Sequence, residues 1–121
     1  MRGLIDYALA RRAVLREFHR GRLGRSEICD AHPELLRAAR AIGVATDAAC
    51  PICEDGPLRQ VRYVFGEGIR EPQGRLVADA GELAKVSDRF DELTTYEVEV
   101  CVDCGWNHLR RSFLVGRRHA G

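Results

Sequence analysis

The sequence lacks any long apolar run, so it offers no candidate for a membrane-spanning helix. Near the start of the chain, Asp6, Arg11 and Arg12 interrupt what would be the continuous apolar segment of a secretion signal. The glycine-rich phosphate loop, the HExxH motif and the GxSxG nucleophile elbow are also missing. We therefore expect a cytoplasmic protein that is not an enzyme, has no small-molecule substrate and does not bind a membrane.

The sequence also has no large excess of positive or negative charge, since the formal net charge is +1. The charges are unevenly distributed along the chain. Residues 1–49 hold nine Arg against six acids, residues 50–105 hold six Lys or Arg against twelve acids, and residues 106–121 hold four Arg and no acid. Two positive segments thus flank a negative middle, which differs from the uniform basic surface of a strong nucleic-acid binder.

The amount of apolar sequence is sufficient for one folded domain but not for a large core. The chain has 121 residues, of which 45% are hydrophobic and 31% are charged. Domains of this size bury a smaller share of their surface than larger ones do. An internal crosslink or metal ion would therefore contribute substantially to stability.

Residues 1–46 have the pattern of three helices. The first carries apolar residues at helical spacing, with Arg11 inside the apolar stripe, and it ends near Gly21. Ser26 is a suitable N-cap for a short second helix, and Pro33 suits the first turn of a third helix that runs to about Ile42. The stripe of the first helix consists of Leu4, Tyr7, Ala8, Val14, Leu15 and Phe18.

The rest of the chain has the pattern of three strands and one more helix. Alternating residues predict a strand over 58–65 and a hairpin whose strands cover 96–100 and 106–115. Arg110 and Arg111 are expected to face Glu99 and Glu97 across that hairpin. Asp79 begins an inserted helix of about residues 79–93, and residues 117–121 form a basic tail.

Four cysteines form the most specific motif of the sequence. Cys50 and Cys53 make one CxxC pair, Cys101 and Cys104 make a second, and 47 residues separate the two pairs. Two such pairs can place four thiolates around one zinc ion, in a closed tetrahedral site that serves structure and not catalysis. A thioredoxin-like redox pair, a disulfide framework and an iron–sulfur cluster are the alternatives, and the spacing and the expected reducing compartment make them weaker.

The metal motif completes the fold prediction. We predict an α+β fold in which an N-terminal three-helix region, residues 1–46, precedes a zinc-ribbon-like region, residues 47–116. That region would be an antiparallel three-stranded sheet with the inserted helix between the two halves of the metal site. Of the residues near the motif, Cys29 is interpreted as a small core residue, with a redox or fifth-ligand role as the alternative. His108 is interpreted as an ordinary strand residue, with replacement of a cysteine ligand as the alternative.

Four segments of the chain resemble a small actinobacterial family that is catalogued as a domain of unknown function. They are GRSEICDAHPELLRAA at 24–39, CPIC at 50–53, VFGE at 64–67 and VCVDCGWNHL at 100–109. The resemblance covers nearly the whole chain. It implies no activity, so function has to be argued from the residues.

The leading functional hypothesis is a zinc-ribbon adaptor that binds a larger intracellular machine, most plausibly the transcription or translation apparatus, by fold-level analogy. Its partner-binding residues would be Arg110, Arg111, Trp106, Arg37 and Arg40. Trp106 is alternatively a residue that only packs over the ribbon. A second hypothesis is direct nucleic-acid binding by a helix-turn-helix in the N-terminal region together with arginines of the C-terminal strand and tail. A third is a redox switch in which oxidation ejects zinc and pairs the cysteines.

Overall fold

The computed structural model describes residues 1–120, which form one antiparallel sheet and four α-helices. Gly121, the last residue of the predicted basic tail, lies outside the described residues. The helices are α1 (Ala8–His19), α2 (Arg25–Ile28), α3 (Pro33–Ile42) and α4 (Ala80–Ser87), and Arg117–His119 form a short 3-10 turn. The strands are β1 (Arg2–Asp6), β2 (Val44–Ala49), β3 (Pro57–Phe65), β4 (Arg75–Val77), β5 (Leu93–Val100) and β6 (Asn107–Val115).

The strand order places the two cysteine pairs at one end of the sheet. The order is β1-β6-β5-β3-β2, and β4 pairs with β3 beyond the part that β2 covers. In the antiparallel register of β3 and β5, Arg59 lies opposite Val100 and Phe65 lies opposite Thr94. Because β3 begins where β5 ends, the segment that precedes β3 meets the segment that follows β5.

The predicted fold of a three-helix region followed by a three-stranded sheet is wrong, because the sheet has six strands. Three of them, β3, β5 and β6, lie where the sequence predicted strands. The other three give no strand signal. Nearly all residues of β1 and β2 are exposed, so these strands lack the alternation of a half-buried strand, and β4 has only three residues. The segment 1–46 therefore begins with one strand of the common sheet and ends within another.

Helices cover both faces of the sheet. On one face, α1 and α2 pack through Leu15, Phe18 and Ile28 against Trp106 and Leu58. On the same face, α4 packs over the far ends of β3 and β5. On the opposite face, α3 packs against β3 and β5. Each helix thus buries one apolar side against the sheet.

The inserted helix is shorter than the predicted 79–93. Asp79 caps its N-terminus by accepting a hydrogen bond from the Glu82 backbone N–H, as expected, but the helix ends at Ser87. The chain then turns into β5 at Leu93. Among the described residues, no helix is both long enough and apolar enough to cross a bilayer.

Candidate metal centre

The four cysteines of the two CxxC pairs converge between the ends of four strands. Cys50 and Cys53 lie in the turn between β2 and β3, and Cys101 and Cys104 lie in the turn between β5 and β6. All four sulfur atoms lie within 4.8 Å of one another. The Sγ atoms of Cys50 and Cys104 are 3.6 Å apart, as are those of Cys53 and Cys101. Such a cluster can hold one metal ion.

The two turns have similar backbone hydrogen bonds. The Glu54 N–H donates to the Cys50 carbonyl, and the Gly105 N–H donates to the Cys101 carbonyl. The residue four positions after the first cysteine has a positive φ in both turns, 61° at Glu54 and 92° at Gly105. Each turn folds back tightly enough to direct both of its sulfur atoms to the same point.

Backbone N–H groups face the sulfur atoms. The Ile52 N–H donates to Cys50 Sγ at 3.4 Å, and the Trp106 N–H donates to Cys104 Sγ at 3.4 Å. Donors in this position favour the thiolate form, which is the form that binds metal ions.

Burial acts on the thiols in the opposite direction. Desolvation raises the pKa of Cys50 and of Cys101, and it raises the pKa of Cys104 to about 12. The pKa of Cys53 is lowered, chiefly by a hydrogen bond from the Asp55 backbone. Without a cation, most of these thiols therefore keep their protons at neutral pH, and a bound metal ion has to displace them.

The cluster forms one wall of the hydrophobic core between α1, α2 and the sheet. Cys50 and Cys101 are buried, whereas Cys53 and Cys104 are partly exposed. Ile28, Leu58 and Trp106 are the buried neighbours in the same apolar cluster. Among the described residues, the groups that could hold a metal ion comprise these four cysteines and no histidine. An ion held by this cluster would have four sulfur ligands.

Trp106 connects the second turn to a buried carboxylate. Its side chain is 1% exposed, and its indole Nε1–H donates to Glu99 Oε2 at 2.7 Å. The other oxygen of Glu99 accepts hydrogen bonds from Arg11 Nε at 2.9 Å and from Arg110 at 3.2 Å. Arg11, the arginine inside the apolar stripe of the first helix, is partly buried and thus pairs with a buried carboxylate.

Glu97 is the second buried carboxylate of β5. It is 2% exposed and forms ion pairs with Arg62, at 2.6 Å, and with Arg111. Burial alone would raise the pKa of Glu97, but the hydrogen bonds from Arg111 and Arg62 outweigh it, so the pKa lies below its usual value. Both predicted ion pairs form. Arg111 lies opposite Glu97 across the hairpin as predicted, but a bulge shifts the register, so that His108 and not Arg110 lies opposite Glu99.

The other residues predicted to bind a partner lie on α3. Arg37 is exposed and forms an ion pair with Glu34. A guanidinium nitrogen of Arg40 lies 3.5 Å from the Val102 carbonyl oxygen, so Arg40 borders the second cysteine turn. His108 stacks on Trp106, with ring centroids 5.9 Å apart, and lies outside the sulfur cluster.

A fifth cysteine lies against the cluster, at the position that the sequence interpreted as a small core residue with a redox or fifth-ligand role as the alternative. The Sγ of Cys29 is 3.5 Å from the Sγ of Cys104. The backbone holds the two segments together, because the Ala31 N–H donates to the Gly105 carbonyl at 3.0 Å. No sequence pattern indicates this contact, because 75 positions separate the two cysteines.

Comparison with known proteins agrees with the resemblance stated from the sequence. Residues 1–121 match a family described as "Family of unknown function (DUF5318)", and the chain belongs to that family. The uncharacterized proteins Mb0050 of Mycobacterium bovis and Rv0049 of Mycobacterium tuberculosis are each 45% identical to it over 112 residues, which is 93% of this chain and 81% of the relative. No solved structure matches significantly. The predicted membership of an uncharacterised actinobacterial family is confirmed.

Proposed function

We propose that this DUF5318 protein holds one structural zinc ion on Cys50, Cys53, Cys101 and Cys104. The observation that supports the proposal is the convergence of four sulfur atoms from two separate turns on one point. A tetrahedral site with Zn–S bonds of about 2.3 Å has sulfur atoms about 3.8 Å apart. The two 3.6 Å separations are close to this value, and soft thiolate ligands select zinc over magnesium or calcium.

The role of such an ion would be structural. Four protein ligands leave no open coordination position for a substrate or a reactive water. The ion would join the β2–β3 turn to the β5–β6 turn and hold Trp106 under α1. Because binding free energy is folding free energy in such sites, its loss would loosen the whole end of the sheet.

We further propose that the protein is a non-enzymatic adaptor that binds a protein of the transcription or translation apparatus. Zinc ribbons recur in subunits and factors of these machines, and this part of the proposal rests on that analogy. The exposed side of α3 supports a partner surface, because Arg37 and Arg40 lie together there and Arg40 borders the second cysteine turn. A metal-stabilised turn beside an arginine pair would present a fixed surface to an acidic partner.

The metal proposal is tested by zinc content and by removal of the ion. The purified protein should contain about one zinc per chain, and complete chelation should unfold the 50–115 region. Cys101→Ser should lose the ion, whereas Cys29→Ala, which changes a cysteine outside the tetrad, should keep it. Near-native circular dichroism and melting after complete zinc removal would contradict the proposal.

The adaptor proposal is tested by affinity purification from the native cell. Wild-type protein should retain polymerase or ribosomal subunits at near-stoichiometric amounts, and Cys101→Ser should not. A second variant, Arg37→Ala with Arg40→Ala, should keep its zinc and lose the partner. Steeply salt-dependent binding to purified DNA or RNA, with no protein partner, would instead support the nucleic-acid hypothesis.

A further inference from the structure

Cys29 differs from the other four cysteines by its position at the edge of the cluster. Its Sγ lies 3.5 Å from that of Cys104, but it is not among the sulfur atoms that converge on the common point. A metal ion held by the tetrad would leave the Cys29 thiol unbound. The loaded protein would therefore keep one free thiol in contact with one ligand sulfur.

Both residues of this contact have access to solvent. Cys29 and Cys104 are partly exposed, as is Cys53, whereas Cys50 and Cys101 are buried. A small oxidant in solvent can therefore reach the two residues whose sulfur atoms touch. Cys50 is also close to Cys104, at 3.6 Å, but it would be bound to the same ion and is shielded from solvent.

Two hydrogen bonds hold together the segments that carry these two sulfur atoms. The Ala31 N–H donates to the Gly105 carbonyl, and the Asn107 side chain donates to the Asp30 carboxylate at 3.1 Å. These bonds attach the segment after α2 to the second cysteine turn immediately C-terminal to the sulfur contact. The two sulfur atoms would have to approach by about 1.5 Å to reach the disulfide bond length.

We propose that Cys29 and Cys104 form a reversible disulfide when a peroxide oxidises the protein, and that this bond removes Cys104 from the metal ligands. This inference rests on the metal site of the proposed function. It assigns Cys29 the role of a resolving thiol, which protects the ligand sulfur from irreversible oxidation and couples the metal site to the redox state of its surroundings.

The chemistry balances with a peroxide as the oxidant. The Cys104 thiolate attacks hydrogen peroxide, the O–O bond breaks, and a sulfenic acid and hydroxide form. Cys29 loses its proton and attacks the Cys104 sulfur, so the S–S bond forms and the S–O bond breaks. The departing hydroxide takes the proton that Cys29 lost and becomes water. Two electrons pass from the two sulfur atoms to the peroxide.

The disulfide would affect the β2–β3 turn more than the β5–β6 turn. It would hold the segment after α2 on the second cysteine turn, where it already lies. The β2–β3 turn would lose its connection to Cys104, because that connection runs through the ion. Oxidation would therefore release the first turn from the second without separating α2 from the sheet.

In the test, the zinc content of the protein is first measured before any oxidant is added. This step tests the proposed zinc site alone. Stoichiometric hydrogen peroxide is then added to the zinc-loaded protein, zinc release is followed with a chromogenic chelator, and free thiols are alkylated. Tryptic digestion should link the peptide of residues 26–37 to that of residues 90–110, and fragmentation should assign the bond to Cys104 rather than Cys101. A reductant should then restore zinc binding.

Cys29→Ala and Cys29→Ser are the matched variants, and at least one should retain the wild-type fold and zinc content. After peroxide and reductant, their recovery of zinc binding should fall by about fivefold, because Cys104 proceeds to sulfinic acid without a resolving thiol. Three results would overturn the inference without affecting the proposed zinc site. They are disulfide bonds found only among the four tetrad cysteines, a Cys29 thiol that is still alkylated after oxidation, and equal recovery of zinc binding in wild type and variants. Absence of zinc before oxidation would overturn both.

Discussion

The indole of Trp106 donates a 2.7 Å hydrogen bond to Glu99, and both side chains are buried in the interior of the domain. The same residue donates its backbone N–H to Cys104 Sγ. Trp106 therefore connects the candidate metal site to the carboxylate that binds Arg11 of α1. The candidate metal site, the sheet and the first helix are thus connected through this one residue.

Trp106→Phe should destabilise the domain by about 2–4 kcal/mol. The substitution removes a hydrogen bond to a charged group and leaves a small cavity beside Ile28 and Leu58. Urea unfolding of the zinc-loaded protein measures the change. Zinc content should stay at the wild-type level, because the backbone N–H that faces Cys104 remains. A loss below about 1 kcal/mol would show that the hydrogen bond contributes little to stability.

Glu97→Gln should also destabilise the domain, by about 2–3 kcal/mol, because it leaves the guanidinium groups of Arg62 and Arg111 without a counter-charge. The value is below that for a fully buried pair, since both guanidinium groups are partly exposed. Glu71→Gln is the matched control, because Glu71 pairs with Arg75 at the surface, and it should change stability little. Equal effects of the two substitutions would contradict the structural role of Glu97.

The contribution of Glu97 should depend on pH. Its pKa lies below the usual value in the folded protein, so the folded state binds the proton more weakly than the unfolded chain does. The difference in stability between wild type and Glu97→Gln should be complete above about pH 5 and should shrink as the pH falls below about 4. Unfolding of both proteins across this range measures it. A constant difference down to about pH 3 would contradict the assignment.

Metal binding should release protons. The thiols of Cys50, Cys101 and Cys104 have raised pKa values in the folded chain, and thiols of an unfolded chain, with a pKa of about 8.5, are also mostly protonated at neutral pH. Binding of one zinc ion should therefore release about three to four protons at pH 7. Calorimetry in buffers of different ionisation enthalpy gives this number. Release of about one proton or fewer would mean that thiolates are already present without the ion.

Gly105→Ala should lower the stability of the domain more than Gly21→Ala does, although both glycines have a positive φ. Gly105 has φ of 92°, and a Cβ there would lie 2.8 Å from the Cys29 carbonyl oxygen. We expect a loss of about 2–3 kcal/mol from backbone strain and from separation of the α2 segment. Gly21→Ala is the control, because Gly21 has φ of 75° and nothing within 4 Å, so strain alone should cost about 1 kcal/mol. Thermal melting of both variants makes the comparison.

The convergence of the four cysteines could be predicted from sequence because the information is local. A CxxC pair directs both of its sulfur atoms by the geometry of one turn, and two pairs supply four ligands whatever the fold around them. The ion pairs of Arg110 and Arg111 with glutamates were also visible, because alternation and the turn position bring these side chains near each other, although the bulge after Glu97 was not visible. The position of Arg11 inside the apolar stripe was the one feature of the sequence that fits its ion pair with the buried Glu99.

The remaining features depend on contacts between distant segments. Alternation alone places Glu97 and Glu99 on the solvent side of β5, but the arginines that cover them come from α1, β3 and β6. The edge strands β1 and β2 bury almost nothing, so no burial pattern marks them. The contact of Cys29 with Cys104 exists only because α2 lies against the second cysteine turn.

The pairing of β1 with β6 has a consequence for the order in which the protein can fold during its synthesis. β1 ends at Asp6, and its partner begins at Asn107, so the ribosome has to make almost the entire described chain before this edge of the sheet can close. The same holds for α1, whose apolar side packs on Trp106. The nascent chain thus carries an uncovered amphipathic helix until translation is nearly finished, and a fold with such distant contacts should form slowly and depend on chaperones.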